Sequence, residues 1–369
     1  MQQTRRINIA LAALTAALIT AALTAVVPFS PARDSQAGAQ NLPSLVDVTP
    51  DVTSTIPGLV QGVDVAGHQR PGGQPIDWKS VAGPGGQQFA FVKATEGEGW
   101  NNEFYAEDAQ AARDAGIEVG AYHYARPAED PTSQARHFAE VINSGPATNL
   151  PPVLDLEVDE GLNPAALTAW TQTFLTEVEK ATGTTPMLYT YRYFWYEQMA
   201  NTNAFTGYPL WLAAYQNQAP RPVGGWDKVT FWQRSDNGKV AGVSTPVDQN
   251  IFNGDVGAFE SFAAGNLAAG GGVLETFQAP EEGELGVLEQ NSTALVAAIL
   301  GLASGILQAP QISDAARQLG FSDFDANNIA ATVRDLVISG RLPVEDLRTM
   351  MVGDYSVGDL LILLNNAAQ

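Results

Sequence analysis

The chain contains no cysteine. That excludes a disulfide framework, a thiolate metal site and a cysteine nucleophile, while leaving export open. Histidine is nearly absent too: His68, His123 and His137 share no metal-ligand spacing. The sequence has no G-x-S-x-G, no Walker A loop and no H-E-x-x-H, so serine-hydrolase, P-loop and zincin chemistry lose their usual signatures. Nothing in it calls for a cofactor or a metal. Basic residues are scarce, 19 Lys and Arg against 40 Asp and Glu, for a net charge of −21. A surface of that sign disfavours nucleic acid and anionic membranes as partners. The plain reading of the charge is colloidal solubility.

What is present is a chain of 369 residues with 45% hydrophobic and 9% aromatic content, enough for one large domain with a real core and a smaller one. Arg5 and Arg6 precede an apolar run from Ile7 to Val27, and Ala37-Gly38-Ala39 follows. The run is long enough to be a membrane anchor. Its alanine richness and the A-x-A site favour a cleaved signal peptide over residues 1–39, hence a secreted or envelope-associated protein with no stable membrane insertion afterwards. Residues 40–55 read as a polar linker.

Residues 56–263 alternate strand-like and helical patterns. Strands are expected at Leu59–Ala66, Gln88–Ala94, Glu118–Ala125, Pro152–Val158, Thr185–Tyr191, Pro209–Ala214, Val229–Gln233 and Thr245–Ile251. Helices are expected at Glu103–Ala115, Pro131–Asn143 and Pro164–Thr182, with Asp130 capping the second and glycine closing the first and third. The alternation predicts an α/β fold of parallel strands, a modified (β/α) TIM-like barrel with its later helices short or missing.

The centre of this domain is Pro152–Val158. Val153, Leu154, Leu156 and Val158 make it a buried strand, and alternation points Asp155 and Glu157 to one face, Cα atoms about 6.6 Å apart. Two carboxyls crowded on an apolar strand cannot both ionise freely, so one is raised, as a general acid requires. A lone D-x-E is more often structural. Here two more strand-end acids, Asp64 and Asp248, face the same barrel mouth if the first and last strands are neighbours. Tyr122, Tyr124, Tyr189, Tyr191, Trp211, Tyr215 and Trp232 lie on or just after strands, where flat rings suit sugar faces, although at any one position a core ring is the commoner role. His123 is a further candidate for the site lining, and His137 is read as structural.

Gly62-Val63-Asp64-Val65, Phe91-Val92-Lys93-Ala94-Thr95-Glu96-Gly97, Gly120-Ala121-Tyr122-His123-Tyr124, Leu154-Asp155-Leu156-Glu157, Leu188-Tyr189-Thr190, Leu210-Trp211-Leu212-Ala213, Phe231-Trp232-Gln233 and Val247-Asp248-Gln249-Asn250 occur in that order. Together they resemble the glycoside hydrolase family 25 lysozymes, the Chalaropsis-type N-acetylmuramidases. The resemblance implies an exported enzyme that cuts the β-1,4 bond between N-acetylmuramic acid and N-acetylglucosamine in peptidoglycan. It implies Glu157 as proton donor, Asp155 beside it as nucleophile or as orienter of the substrate acetamido group, and Asp64 and Asp248 as the remaining acids. It also implies substrate contacts from Lys93, Glu96, Tyr122, Tyr124, Tyr189, Trp211, Tyr215 and Trp232. The sequence departs from the family at Ala66, Gly67-His68, Ala214 and Arg234, where Ser, an aromatic, His and Tyr are usual. These departures motivate an alternative, a non-catalytic glycan-binding or envelope interaction protein, which retention of all four acids disfavours.

Residues 264–290, with Gly270-Gly271-Gly272 and an acidic stretch, read as a second linker. Residues 291–369 read as a small helical domain: an apolar stretch Ala294–Leu307, too short for a membrane span, then four short helices opening near Ser313, Asp325, Pro343 and Ser356. Envelope targeting and a structural or oligomerisation role fit it equally, and its sequence names no protein partner.

Overall fold

The computed structural model describes residues 58–215, 218–278, 290–353 and 355–368, in two compact units. The expected signal peptide and first linker lie outside the described residues.

The first unit is a closed barrel. Its strands are β1 (Gln61–Val65), β2 (Phe89–Glu96), a two-residue β3 (Trp100–Asn101) hairpinned onto β2, β4 (Glu118–Tyr124), β5 (Val153–Asp155), β6 (Met187–Tyr191), β7 (Leu210–Ala213), β8 (Phe231–Gly238) and β9 (Val247–Phe252). The order is β1-β9-β8-β7-β6-β5-β4-β2, closed by β1 pairing with β2. Every barrel pair is parallel except those of β9, which runs antiparallel to both β8 and β1. The expectation of parallel strands therefore needs correcting at one place. No helix separates β8 from β9, and a connection that short cannot carry the chain back across the sheet, so β9 must reverse. The predicted strand Pro152–Val158 also shrinks to Val153–Asp155, which leaves Glu157 beyond its end.

The barrel's lower half is packed with rings. Phe91 stacks on Trp211 at 4.5 Å between centroids, and Phe231 meets Phe89 at 5.1 Å and Phe252 at 5.2 Å. The helix Val256–Ala263, which the sequence reading did not foresee, sets Phe259 and Phe262 against these rings. Gly62 and Gly120 make room for the phenylalanines: a Cβ on Gly62 would lie 2.3 Å from Phe89, and one on Gly120 2.4 Å from Phe91.

Outside the barrel the helices Pro131–Ser144 and Pro164–Thr182 start on Asp130 and Asn163, whose side chains accept from Ser133 N and Ala166 N. Gly183 closes the second in the left-handed region, φ +71°. Residues 264–278 are not the linker expected from their composition. Leu274 is buried there, Asn253 Oδ1 accepts from Val273 N and Leu274 N, and Lys228 Nζ donates to the carbonyls of Ala268, Ala269 and Gly270. Carbonyl satisfaction, invisible in a Gly-rich composition, ties this segment to the barrel.

Among its described residues the second unit has five helices, Thr293–Ala303, Ala309–Gln318, Asp323–Ser339, Val344–Val352 and Val357–Ala368. The second opens earlier than expected, because Pro310 fits its first turn, and the third is capped by Ser322 rather than opened at Asp325. Among the described residues no helix is long and apolar enough to cross a membrane.

The Gly120 contact gives a direct check. Gly120→Ala forces a methyl into the Phe91 ring and should destabilise the barrel by about 1–3 kcal/mol. Chemical denaturation of the variant reads this, and unchanged stability would mean that the ring shifts freely.

Candidate active site

The four acids meet at one end of the barrel. Asp64 lies on β1, near its C-terminal end, and Asp248 lies directly across from it at the start of β9. The reversal of β9 is what brings Asp248 to the mouth, since the start of an antiparallel strand sits beside its neighbours' ends. The two carboxyls are hydrogen-bonded to each other. Asp155 ends β5, in register with Tyr124 and Tyr189, and is hydrogen-bonded to Glu157, which stands two residues on and half-buried. The mouth thus holds two hydrogen-bonded carboxyl pairs, and a hydrogen bond between two carboxyls needs a proton.

The surroundings set how strongly each carboxyl is raised. Burial pushes the Asp64 carboxyl up, opposed by hydrogen bonds from Asn250 and Gln233. Burial raises Asp248 well above the carboxylate range, with the charges of Asp64 and Asp236 adding to the effect. Its side chain is nonetheless partly open to the mouth. Both members of the pair are raised, and the amide donors turned toward Asp64 oppose the effect there. Asp155 is raised well above its ordinary value by burial first and by Glu157 second, only partly relieved by Lys93. Asp155 Oδ1 is buried and finds no hydrogen-bond partner among the described residues.

The amides around Asp64 have a fixed sense. Trp211 Nε1 donates to Asn250 Oδ1 at 2.8 Å. An indole can only donate, so the Asn250 amide nitrogen must face Asp64, 2.7 Å from Oδ1. Gln233 repeats the arrangement. The hydroxyls of Tyr189 and Tyr215 donate to its Oε1 at 2.7 and 3.2 Å, and its Nε2 donates to both Asp64 oxygens at 3.0 and 3.2 Å. Asp64 is thereby held as an acceptor.

On the other side of the mouth β2 carries an irregularity between Lys93 and Thr95. Simple alternation would put Lys93 and Glu96 on opposite faces. The bulge puts them on the same face, and Lys93 Nζ bonds Glu96 Oε2 at 2.7 Å. Arg126 Nε reaches Glu96 Oε1 at 2.8 Å. Burial pushes the Glu96 carboxyl up, but Lys93 and Arg126 outweigh it and hold it below the ordinary range. Both cations lie over the Tyr124 ring, 4.8 and 5.0 Å from its centroid. The hydroxyls of Tyr122, Tyr124, Tyr189 and Tyr215 are all pushed well up, by burial and then by the neighbouring carboxyls, so they stay neutral donors.

The structure brings Asp64, Asp155, Glu157, Asp248, Lys93, Glu96, Tyr122, Tyr124, Tyr189 and Tyr215 to this mouth. It removes three other candidates. Trp211 is a core ring, stacked on Phe91 and 2% exposed. Trp232 sits between the inward-turned Phe231 and Gln233, so its ring lies on the outer face, where Nε1 donates to Ala214 O. His123 also faces outward, bonded to Thr95 and Gln134 and stacked on Phe174 at 4.9 Å, where burial lowers its pKa to about 3. Sequence reading missed Gln233, Asn250, Asp236 and Arg126. The first two stood in the quoted strand-end stretches, and a polar residue in the inward register of an apolar strand was the available signal. Among the described residues no group of three or more His, Cys, Asp or Glu side chains is arranged to hold a metal ion.

The raised carboxyls fix a sign for stability. Asp155 and Asp248 have folded-state pKa values above the ordinary 3.8, so their contribution is full below that value and is lost as pH rises through the folded pKa. Glu96 works oppositely and weakens on acidification. Asp248→Asn removes a titration while keeping a donor toward Asp64. Melting temperatures between about pH 4 and pH 8 should show the variant gaining on the parent chain as pH rises. A variant that loses ground toward pH 8 would contradict the assignment.

The family Glycosyl hydrolases family 25 matches residues 63–243. The uncharacterized protein YegX of Escherichia coli K12 is 36% identical over 211 residues, 56% of this chain and 74% of that one. The N,O-diacetylmuramidase of Chalaropsis sp is 34% identical over 221 residues, 56% of this chain and all of that one. Among solved structures, the bacterial lysozyme from Streptomyces coelicolor superposes with a TM-score of 0.52 at 34% identity, covering 56% of this chain and 98% of that one. With the fold, the four-acid mouth and these likenesses together, the chain belongs to the glycoside hydrolases of family 25.

Proposed function

We propose that the chain is an N-acetylmuramidase that cleaves the β-1,4 bond between N-acetylmuramic acid and N-acetylglucosamine in peptidoglycan glycan strands. The observation that carries this is the pair of hydrogen-bonded carboxyl couples at one barrel mouth, with Asp155 buried and Glu157 half-open beside it. The relative from Chalaropsis, matched over its whole length, supports the substrate.

In this reading Glu157 protonates the leaving glycosidic oxygen and Asp155 works on the anomeric side. The proton of their couple belongs to both. When the substrate acetamido N–H donates to the Asp155 carboxyl, the ionised form of Asp155 is favoured and the proton passes to Glu157, which is then loaded as the acid. The acetamido oxygen attacks the anomeric carbon, the C–O bond breaks, and the leaving oxygen takes the proton. Glu157 then accepts a proton from the water that opens the cyclic intermediate. Asp64, faced by the amide donors of Asn250 and Gln233, and Asp248 flank the developing positive charge and the sugar hydroxyls. Lys93, Glu96, Tyr122, Tyr124, Tyr189 and Tyr215 line the cleft as substrate contacts.

We further read residues 1–39 as a cleaved export signal, supported by Arg5-Arg6, the apolar run and Ala37-Gly38-Ala39. The catalytic domain begins near residue 56 and, given the buried Leu274, extends to about residue 278.

Digestion of purified peptidoglycan with mass spectrometry of the products tests the activity. New reducing ends should appear on N-acetylmuramic acid; ends on N-acetylglucosamine, or none, would remove the muramidase reading. Glu157→Gln should lower kcat by roughly 10²- to 10⁴-fold with the fold retained.

A further inference from the structure

Glu157 stands outside the sheet. The last residue of β5 is Asp155, and the backbone bond from Leu156 N to Tyr189 O, 3.0 Å, comes just before it. The chain then turns back through Glu160 and Gly161, both with positive φ, +46° and +86°. Glycine adopts that region at no cost; glutamate does not, and it needs outside contacts to stay there. Those contacts are visible. Glu160 Oε1 meets Arg126 NH1 at 3.3 Å, and Glu160 Oε2 accepts from Ala128 N at 2.9 Å. Arg126 is itself anchored, since its Nε donates to Glu96 Oε1 at 2.8 Å and its guanidinium lies over the Tyr124 ring. Glu96 in turn is held by Lys93.

One guanidinium therefore ties the ends of β2 and β4 to the turn three residues beyond Glu157. We propose that Arg126, acting through Glu160, is a positioning residue for the Glu157 carboxyl. The role rests on the muramidase reading, in which that carboxyl must come within hydrogen-bond reach of the glycosidic oxygen. Arg126 contributes no proton and needs no contact with the sugar. It fixes the strained turn, and the turn fixes where the Glu157 backbone leaves the strand. Lysine cannot replace it, because the bridge uses several nitrogens of one planar fork on two different carboxylates.

The experiment compares the full chain with Arg126→Ala, Arg126→Lys and Glu160→Gln on solubilised glycan strands, with kcat and KM determined separately and folding confirmed by circular dichroism. Both Arg126 variants should lose about 10- to 100-fold in kcat with a clearly smaller change in KM, because misplacing a reacting group affects the chemical step more than binding. Glu160→Gln keeps an acceptor for Ala128 N but loses its charge toward Arg126, and should lose several-fold in kcat with the same split. It also covers the case in which an Arg126 variant does not fold. An active parent whose Arg126 and Glu160 variants keep kcat, or raise KM alone, overturns the positioning role and leaves the muramidase reading standing. A parent chain that releases no muramic acid ends overturns that reading and this role with it.

Discussion

Carboxyls gathered in a mouth closed below by stacked rings cannot all be charged, and much of this barrel follows from that constraint. Water is excluded under the site by Phe89, Phe91, Trp211, Phe231 and Phe252, so ionising a second member of either couple has little solvent to draw on. Each couple therefore keeps a proton, and the polar groups nearby set how strongly each carboxyl is raised. The two couples arrive by different routes. One is local, a D-x-E at the end of β5. The other is assembled across the barrel closure, and it exists only because β9 runs backwards and starts where β1 ends.

The network behind Asp64 shows how direction is imposed on groups that could otherwise turn either way. An amide side chain offers a donor end and an acceptor end, and flipping it would place an oxygen against the carboxylate. Trp211 forbids the flip at Asn250 because an indole never accepts, and the buried hydroxyls of Tyr189 and Tyr215 bias Gln233 the same way. Trp211 is thus a core residue with a consequence at the site. Its ring packs on Phe91 while its N–H, acting through Asn250, keeps an amide donor turned toward Asp64.

Much of this was legible in the sequence, for physical reasons that can be named. Strand ends carrying acids stood out because burying a carboxyl in an apolar strand is costly unless a site pairs or uses it, and Asp64, Asp155 and Asp248 were found that way. The helix starts at Pro131 and Pro164 followed from prolines and caps that act locally. What failed depended on long-range pairing. The bulge beyond Lys93 changes which face Glu96 takes, and no local pattern announces it. Trp232 and His123 looked like mouth residues because each lies on a strand that leads to the mouth, yet alternation turns them outward. Arg126 had no signal, because its partners Glu96 and Glu160 are each thirty or more residues away.

The brevity of β5 departs furthest from the strand that Pro152–Val158 predicts. A longer strand would have fixed Asp155 and Glu157 equally, as two rungs of one ladder. Instead Asp155 is locked in register between Tyr124 and Tyr189, while Glu157 rides on a turn tied from outside the sheet. The inequality suits the chemistry. A residue that steadies the anomeric side gains from rigidity, since its geometry is the same before and after bond breaking. A residue that gives up a proton and later takes one back must follow an oxygen that leaves and a water that arrives, so a tethered loop serves it better than a ladder. The barrel thus separates two identical chemical groups, two residues apart, by the stiffness of the backbone that carries each.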